Sequence, residues 1–169
     1  MYKGTYTLLM AQYNQWQNQN FYTLCASLDD AERKRDCGAF FKSIHGTLDH
    51  IMFGDKNWMG RFVNKPFTGG KLGQELYSNF EDLRRERERM DTWMLEWANG
   101  VTDAWLQSTN TFTSGIDGKT RTLPNWTLVT QMFNHQTHHR GQVSTLLKQI
   151  GIDPGPTDVP WIPELAATA

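Results

Sequence analysis

The sequence predicts an all-α fold, a four-helix bundle with a small hairpin-like insertion between the third and fourth helices. Three observations predict it. Apolar side chains recur at alternating steps of three and four along four separate stretches, the period that gathers them on one face of an α-helix. A stretch rich in Thr and Ser, of different character, divides the third helix from the fourth. The 169 residues, 38% hydrophobic and 12% aromatic, suit a sizeable core in one domain over residues 1–169 rather than two domains or a disordered chain.

The first helix is expected from about Thr5 to Leu28, with Tyr6, Leu9, Tyr13, Trp16, Asn20, Leu24 and Leu28 on one stripe. Asp29 to Asp36 is polar and charged and reads as a connection. The second helix, Ala39 to Asn64, carries Phe41, Ile44, Leu48, Ile51, Trp58 and Phe62, and Pro66 with Gly69 and Gly70 ends it. The third, Gly73 to Asn99, repeats Leu76, Phe80, Leu83, Met90, Met94 and Trp97 before the stop signal Asn99-Gly100. Arg87 falls on that stripe and is expected to reach out of the core or into an interface between copies. Between Val101 and Thr122, Asp117-Gly118 sits between short β-prone runs, so a hairpin is expected there. Leu123-Pro124-Asn125 opens the fourth helix, which ends at Ile150-Gly151. The tail from Asp153 holds four prolines and no helical period, so it reads as an ordered wrap or a loose end.

Composition excludes several functions. The 17 basic residues nearly cancel the 18 acidic ones, leaving no field to attract nucleic acid or an anionic membrane. Residues 81–89 hold four acids and four bases, which is a solvated helix face rather than a nucleic-acid surface. No apolar run approaches the ~18 residues of a membrane span, and the start lacks the basic-then-apolar pattern of a signal peptide. A cytoplasmic protein with reduced thiols is therefore expected. Cys25 and Cys37 are too few for a disulfide scaffold or a Cys-rich zinc site. The seven Trp read as core and interface filling.

Five histidines stand against those two cysteines, and residues 135–139 read His-Gln-Thr-His-His. On a helix His135 and His139 share a face. The fourth helix's stripe runs Leu128, Met132, His135, His139, Val143, Leu146, Ile150, so both imidazoles occupy positions reserved for the core. Buried imidazoles need hydrogen-bond partners or a metal. Core histidines satisfied by neighbours are the plain reading; a pair on one buried face favours a metal. His138 lies about 100° round the helix and reads as a boundary residue. A third ligand has two candidates on the second helix, His45 and His50. His50 is about 135° from the centre of the apolar stripe, on a face with Ser43, Gly46, Thr47 and Gly54 whose small side chains admit another helix. Periodicity does not choose between the two.

The segment Ser43-Ile44-His45-Gly46-Thr47-Leu48-Asp49-His50-Ile51, followed by Asp55, Trp58 and Arg61, resembles the second-helix signature of the DinB family. Phe133 to Gln142 resembles that family's fourth-helix signature, Tyr13-Asn14-Gln15-Trp16 its first-helix motif, and Gly151 through Thr157-Asp158 its closing segment. The resemblance implies a four-helix bundle, a homodimer, and a divalent metal held by three histidines, which map onto His50, His135 and His139. It also implies that His45 is not a ligand. Asp49 departs from the Asn usual before the first ligand, placing a carboxylate beside the site.

Three histidines with an open position match a catalytic rather than a closed structural site, and imidazole suits Zn, Ni or Fe. A zincin needs Glu where Gln136 stands. A ferritin-like di-iron site needs Glu-x-x-His motifs, which the sequence lacks. The resemblance favours a transferase that uses a low-molecular-weight thiol, ionised by the metal, against a small electrophilic substrate in stress or detoxification. Metal-dependent hydrolysis is the alternative, with Asp49 or Asp55 as base. A non-catalytic stress protein that captures metal or ligand is the third. Arg140 and Gln142 are candidates for substrate contact or for ordinary helix-surface roles.

Overall fold

The computed structural model describes residues 3–115 and 117–166. Four long helices form the bundle: α1 (Lys3–Ala26), α3 (Ile44–Phe62), α4 (Phe80–Asn99) and α6 (Asn125–Gln149). Helix α1 packs along α4, and α3 along α6, with α1 also meeting α6 and α3 meeting α4. Shorter elements fill the connections: α2 (Asp30–Lys34), α5 (Asp103–Gln107), the hairpin of β1 (Thr109–Thr113) and β2 (Thr120–Pro124), a 3-10 turn (Val159–Trp161) and α7 (Pro163–Ala166). Among the described residues no helix is long and apolar enough to cross a membrane.

The helices begin where a side chain caps them, and this corrects several expected boundaries. Helix α3 starts at Ile44 rather than Ala39 because the Ser43 hydroxyl accepts from the Gly46 N–H at 3.0 Å. The residues before it form a tight turn, closed by an Ala39–Lys42 bridge with Lys42 in the left-handed region at φ 67°. Helix α4 starts at Phe80 rather than Gly73, capped by Asn79 on the Asp82 N–H at 3.1 Å. Residues 63–79 are instead an irregular segment. Asp29 caps α2 through the Glu32 N–H, so the expected charged connection contains a helical turn. Thr102 likewise caps α5, which precedes the hairpin.

The hairpin pairs Thr109 with Pro124 through to Thr113 with Thr120. Its second strand runs two residues past the expected end at Thr122. Its base is tied to the bundle, since the Asn110 amide donates to the carbonyl of Arg61 at 3.2 Å. The proline-rich tail is an ordered wrap along α1. Tyr13 Oη donates to the Thr157 carbonyl at 2.6 Å, Gln17 to Pro156 at 3.3 Å and Asn20 to Pro154 at 2.6 Å.

The bundle interior is not purely apolar. Arg87 is 2% exposed and pairs with Asp55 at 2.5 Å and Asp91 at 2.8 Å. It turns inward, contrary to the expectation that it would leave the core. Asn14 and Asn18 of α1 donate to Asp91 at 3.1 and 2.9 Å, Gln136 of α6 donates to Asp55 at 2.7 Å, and Arg140 donates to Asn14. This buried polar layer draws a residue from each of the four long helices, and such a layer is costly unless every charge is partnered. Cys25 is buried and Cys37 half-buried; both are free thiols.

Candidate metal centre

Helix α3 contributes His50 and helix α6 contributes His135 and His139. One ring nitrogen from each lies within 4.8 Å of the other two. His50 Nε2 and His135 Nε2 are 3.0 Å apart. The ring centroids are separated by 5.0 Å for His50–His135, 4.6 Å for His50–His139 and 4.4 Å for His135–His139. Two nitrogens aimed at each other so closely are satisfied when one carries a proton or when both point at a cation between them. The donor set therefore fits a divalent metal, with three imidazoles and room for a further ligand.

Neighbouring residues hold each ring in place. Gln142 Oε1 accepts from His139 Nδ1 at 2.7 Å. An amide oxygen only accepts, so the ring proton sits on Nδ1 and the Nε2 lone pair is free. Phe41, carried by the turn before α3, stacks on His50 with ring centroids 3.7 Å apart. Gly54 is where His135 crosses α3: a Cβ there would lie 2.7 Å from His135 Cε1 and 3.1 Å from Nδ1.

The site keeps its imidazoles neutral. Burial pushes His50 down to about 3, with His135 and His139 adding to the effect. Burial and then His139 take His135 to about 4, against the opposing pull of Asp55. Burial also lowers His139, partly offset by its bond to Gln142. An unfolded histidine titrates near ~6.5, so the depressed values favour the fold above that pH and cost it stability as pH falls towards them. The melting temperature of metal-free protein is expected to drop between about pH 6.5 and pH 4. A His50→Gln/His135→Gln variant followed by circular dichroism should show a flatter profile. An identical slope in both proteins would assign the acid sensitivity elsewhere.

The other candidates add no ring nitrogen to this cluster. His45 is buried and its Nε2 donates to the Tyr77 carbonyl at 2.7 Å. His138 is exposed, with its ring 4.8 Å from that of His139. Asp49 accepts from the backbone N–H groups of Leu76 and Tyr77 at 2.8 and 2.9 Å, which fastens the irregular 63–79 segment to α3. Asp55 belongs to the Arg87 layer. Arg140 is buried rather than on the helix surface, and its guanidinium lies 5.4 Å from the centroid of Tyr13. Gln142 is placed by its bond to His139, a role readable only as a polar residue three positions after a histidine.

The three histidines line a cleft of about 1290 Å³ between the α3–α6 face and the hairpin. Its walls include the aromatic rings of Phe41, Phe53, Trp58 and Phe112. The hairpin's contribution to this wall was not legible in the sequence. In one-dimensional order Phe112 is only a residue between threonines.

Two comparisons with known proteins bear on this site. The family model described as the DinB family matches residues 1–169. Protein DinB of Bacillus subtilis (strain 168) is 25% identical over 154 aligned positions, in a match that covers 87% of each chain.

Proposed function

The chain belongs to the DinB family, and from its site we propose that it is a divalent-metal-dependent enzyme that joins a low-molecular-weight thiol to an electrophilic small molecule. The observation that carries this reading is the convergence of three neutral ring nitrogens from two helices within 4.8 Å. His50, His135 and His139 would hold a divalent cation, which would supply the Lewis acidity for a thiol to ionise near neutral pH. Zn, Ni and Fe all suit three imidazoles.

The chain's own residues supply orientation and shelter. Gln142 fixes the tautomer of His139, and partners of this kind hold a ligand ring in its productive orientation. Phe41 covers one face of His50 and keeps water off it. The aromatic walls of the cleft favour an apolar substrate body. Neither cysteine serves as the nucleophile in this reading. Burial pushes Cys25 up to about 12, which keeps it a thiol, and Cys37 donates to the Arg35 carbonyl at 3.2 Å away from the cleft. The thiol therefore arrives as a co-substrate. Hydrolysis draws less support, because Asp49 and Asp55, the carboxylates available as a base, are both engaged in holding the fold.

Protein purified without chelator or nickel resin and submitted to elemental analysis tests the metal reading. Wild type is expected to carry stoichiometric metal that both His50→Ala and His135→Ala lose. Metal-free wild type would sink it. Metal-loaded protein is then expected to conjugate glutathione, bacillithiol or mycothiol to at least one member of a broad electrophile panel. Absence of any conjugate from all three thiols would end the transferase reading.

A further inference from the structure

Arg61 is a half-buried cation in the cleft wall. Its guanidinium carbon lies 4.8 Å from the centroid of Trp58 and 5.1 Å from that of Phe112. The aromatic faces thus hold the planar group while leaving its N–H edge unspent. Among the described residues it has neither a carboxylate partner nor a side-chain hydrogen bond, and burial alone acts on it, lowering its pKa. Other arginines have carboxylate partners. Arg121, on the same cleft, is committed to Asp117 at 2.6 Å, and the buried Arg87 has two carboxylates.

Arg61 follows His50 by eleven residues on α3, which is about 16 Å along the helix axis and about 20° round it. The two side chains therefore lie on one stripe, three turns apart, and both line the cleft. Asn57 lies between them on the same stripe, its amide nitrogen bonded to the Phe53 carbonyl at 2.8 Å. A desolvated guanidinium with a free edge is matched by an oxoanion that can accept two parallel N–H bonds.

We infer that Arg61 is an anion-anchoring residue, and that the cleft takes an elongated molecule with an apolar body and a terminal carboxylate whose far end reaches the histidines. The inference rests on the proposed metal reading for one point, that the reacting end of the ligand lies at His50, His135 and His139.

The test uses the full chain and two probes that differ only in charge, 11-(dansylamino)undecanoic acid and its methyl ester, titrated by dansyl fluorescence. Wild type is expected to bind the acid at least about tenfold more tightly than the ester, as a charge-assisted hydrogen bond gives. Arg61→Gln is expected to bring the two within about twofold by weakening the acid alone. Arg61→Lys keeps the charge without the planar fork and should fall between them, which also guards against a Gln variant that does not fold. Lys71→Gln, at an exposed lysine of the same cleft, should leave the preference unchanged. Equal binding of acid and ester by wild type overturns the inference, as does a preference that survives in folded Arg61→Gln. Displacement of the bound acid by glutathione would place the carboxylate on the thiol, and displacement by decanoate would place it on the electrophile; either supports the anchor. Elemental analysis keeps the two readings separable. Metal-free wild type with an Arg61-dependent preference would remove the cation from the histidines and leave the anchor standing.

Discussion

Arg87→Ala is expected to destabilise the protein by about 3–5 kcal/mol at neutral pH, the usual cost of removing one partner from a buried charge cluster. Arg87 is 2% exposed, and its loss strands two carboxylates, Asp55 and Asp91, that are themselves fully buried. Burial tends to lower the Arg87 guanidinium, but Asp91 and Asp55 outweigh it and hold the group charged well above the ordinary value. Burial pushes the Asp91 carboxyl up to about 6 even with Arg87 beside it. Without the arginine the Asp91 carboxyl prefers the protonated form in the fold more strongly. A group with a raised folded value contributes stability that is fully present below its unfolded pKa of ~3.9 and lost as pH rises through the folded one. The deficit of the variant in urea unfolding should therefore be largest near pH 7 and shrink towards pH 4. Arg87→Met combined with Asp55→Asn and Asp91→Asn should recover most of it, since no charge is then left unpaired. A deficit of equal size at both pH values would mean that Arg87 acts through packing rather than charge.

Gly54→Ala is expected to weaken metal binding by about 10–100-fold, the range seen when the support of a ligand is lost, while leaving the fold in place. This result depends on the proposed three-histidine site. The new Cβ would sit 2.7 Å from His135 Cε1, so the ring must swing away from His50 and His139. The helix itself gains, because alanine is favoured over glycine in a helix interior by up to ~1 kcal/mol. Gly141→Ala supplies the control. It makes the same replacement in α6, where a Cβ meets nothing within 4 Å, so it should stabilise the helix and leave metal affinity untouched. Competition against a chelating dye measures both variants. Wild-type affinity in Gly54→Ala would show that the gap opposite His135 does not position the ring.

Much of this architecture was legible because it rests on local periodicity. Leu128, Met132, Val143 and Leu146 mark the buried face of α6, and the stripe carried His135 and His139 with it. Helix ends were less legible where a cap competed with a continuing apolar pattern. Phe41 and Leu76 extend the apolar stripes of α3 and α4, yet the caps Ser43 and Asn79 start those helices at Ile44 and Phe80, three and four residues later. Phe41 is freed by that to stack on His50, and the Leu76–Tyr77 backbone to bond Asp49. The capping signals were present in the sequence, including Asp29 and Glu32 around the unexpected α2, but an apolar period outweighed them.

His50 shows where periodicity stops. It lies off the large apolar stripe of α3, and resemblance rather than spacing distinguished it from His45. The packing of α6 against α3 decides the matter, because Gly54 lets His135 come close enough for its Nε2 to face that of His50 at 3.0 Å. The same holds for Arg87, Asp55, Asp91 and Asn14, each of which acquires its structural role from partners on other helices.

By itself, then, the sequence determined the four-helix class, the hairpin insertion, the scarcity of cysteine and the pair of core-facing histidines on α6. All of these follow from local spacing and composition. Only the tertiary structure decided how closely His50 meets the pair across the α3–α6 contact, that a charged layer runs through the core, and that Arg61 faces the histidine cleft with no carboxylate partner among the described residues. Those facts depend on distances between residues tens of positions apart, which are set by how helix faces pack rather than by the order of residues along any one of them.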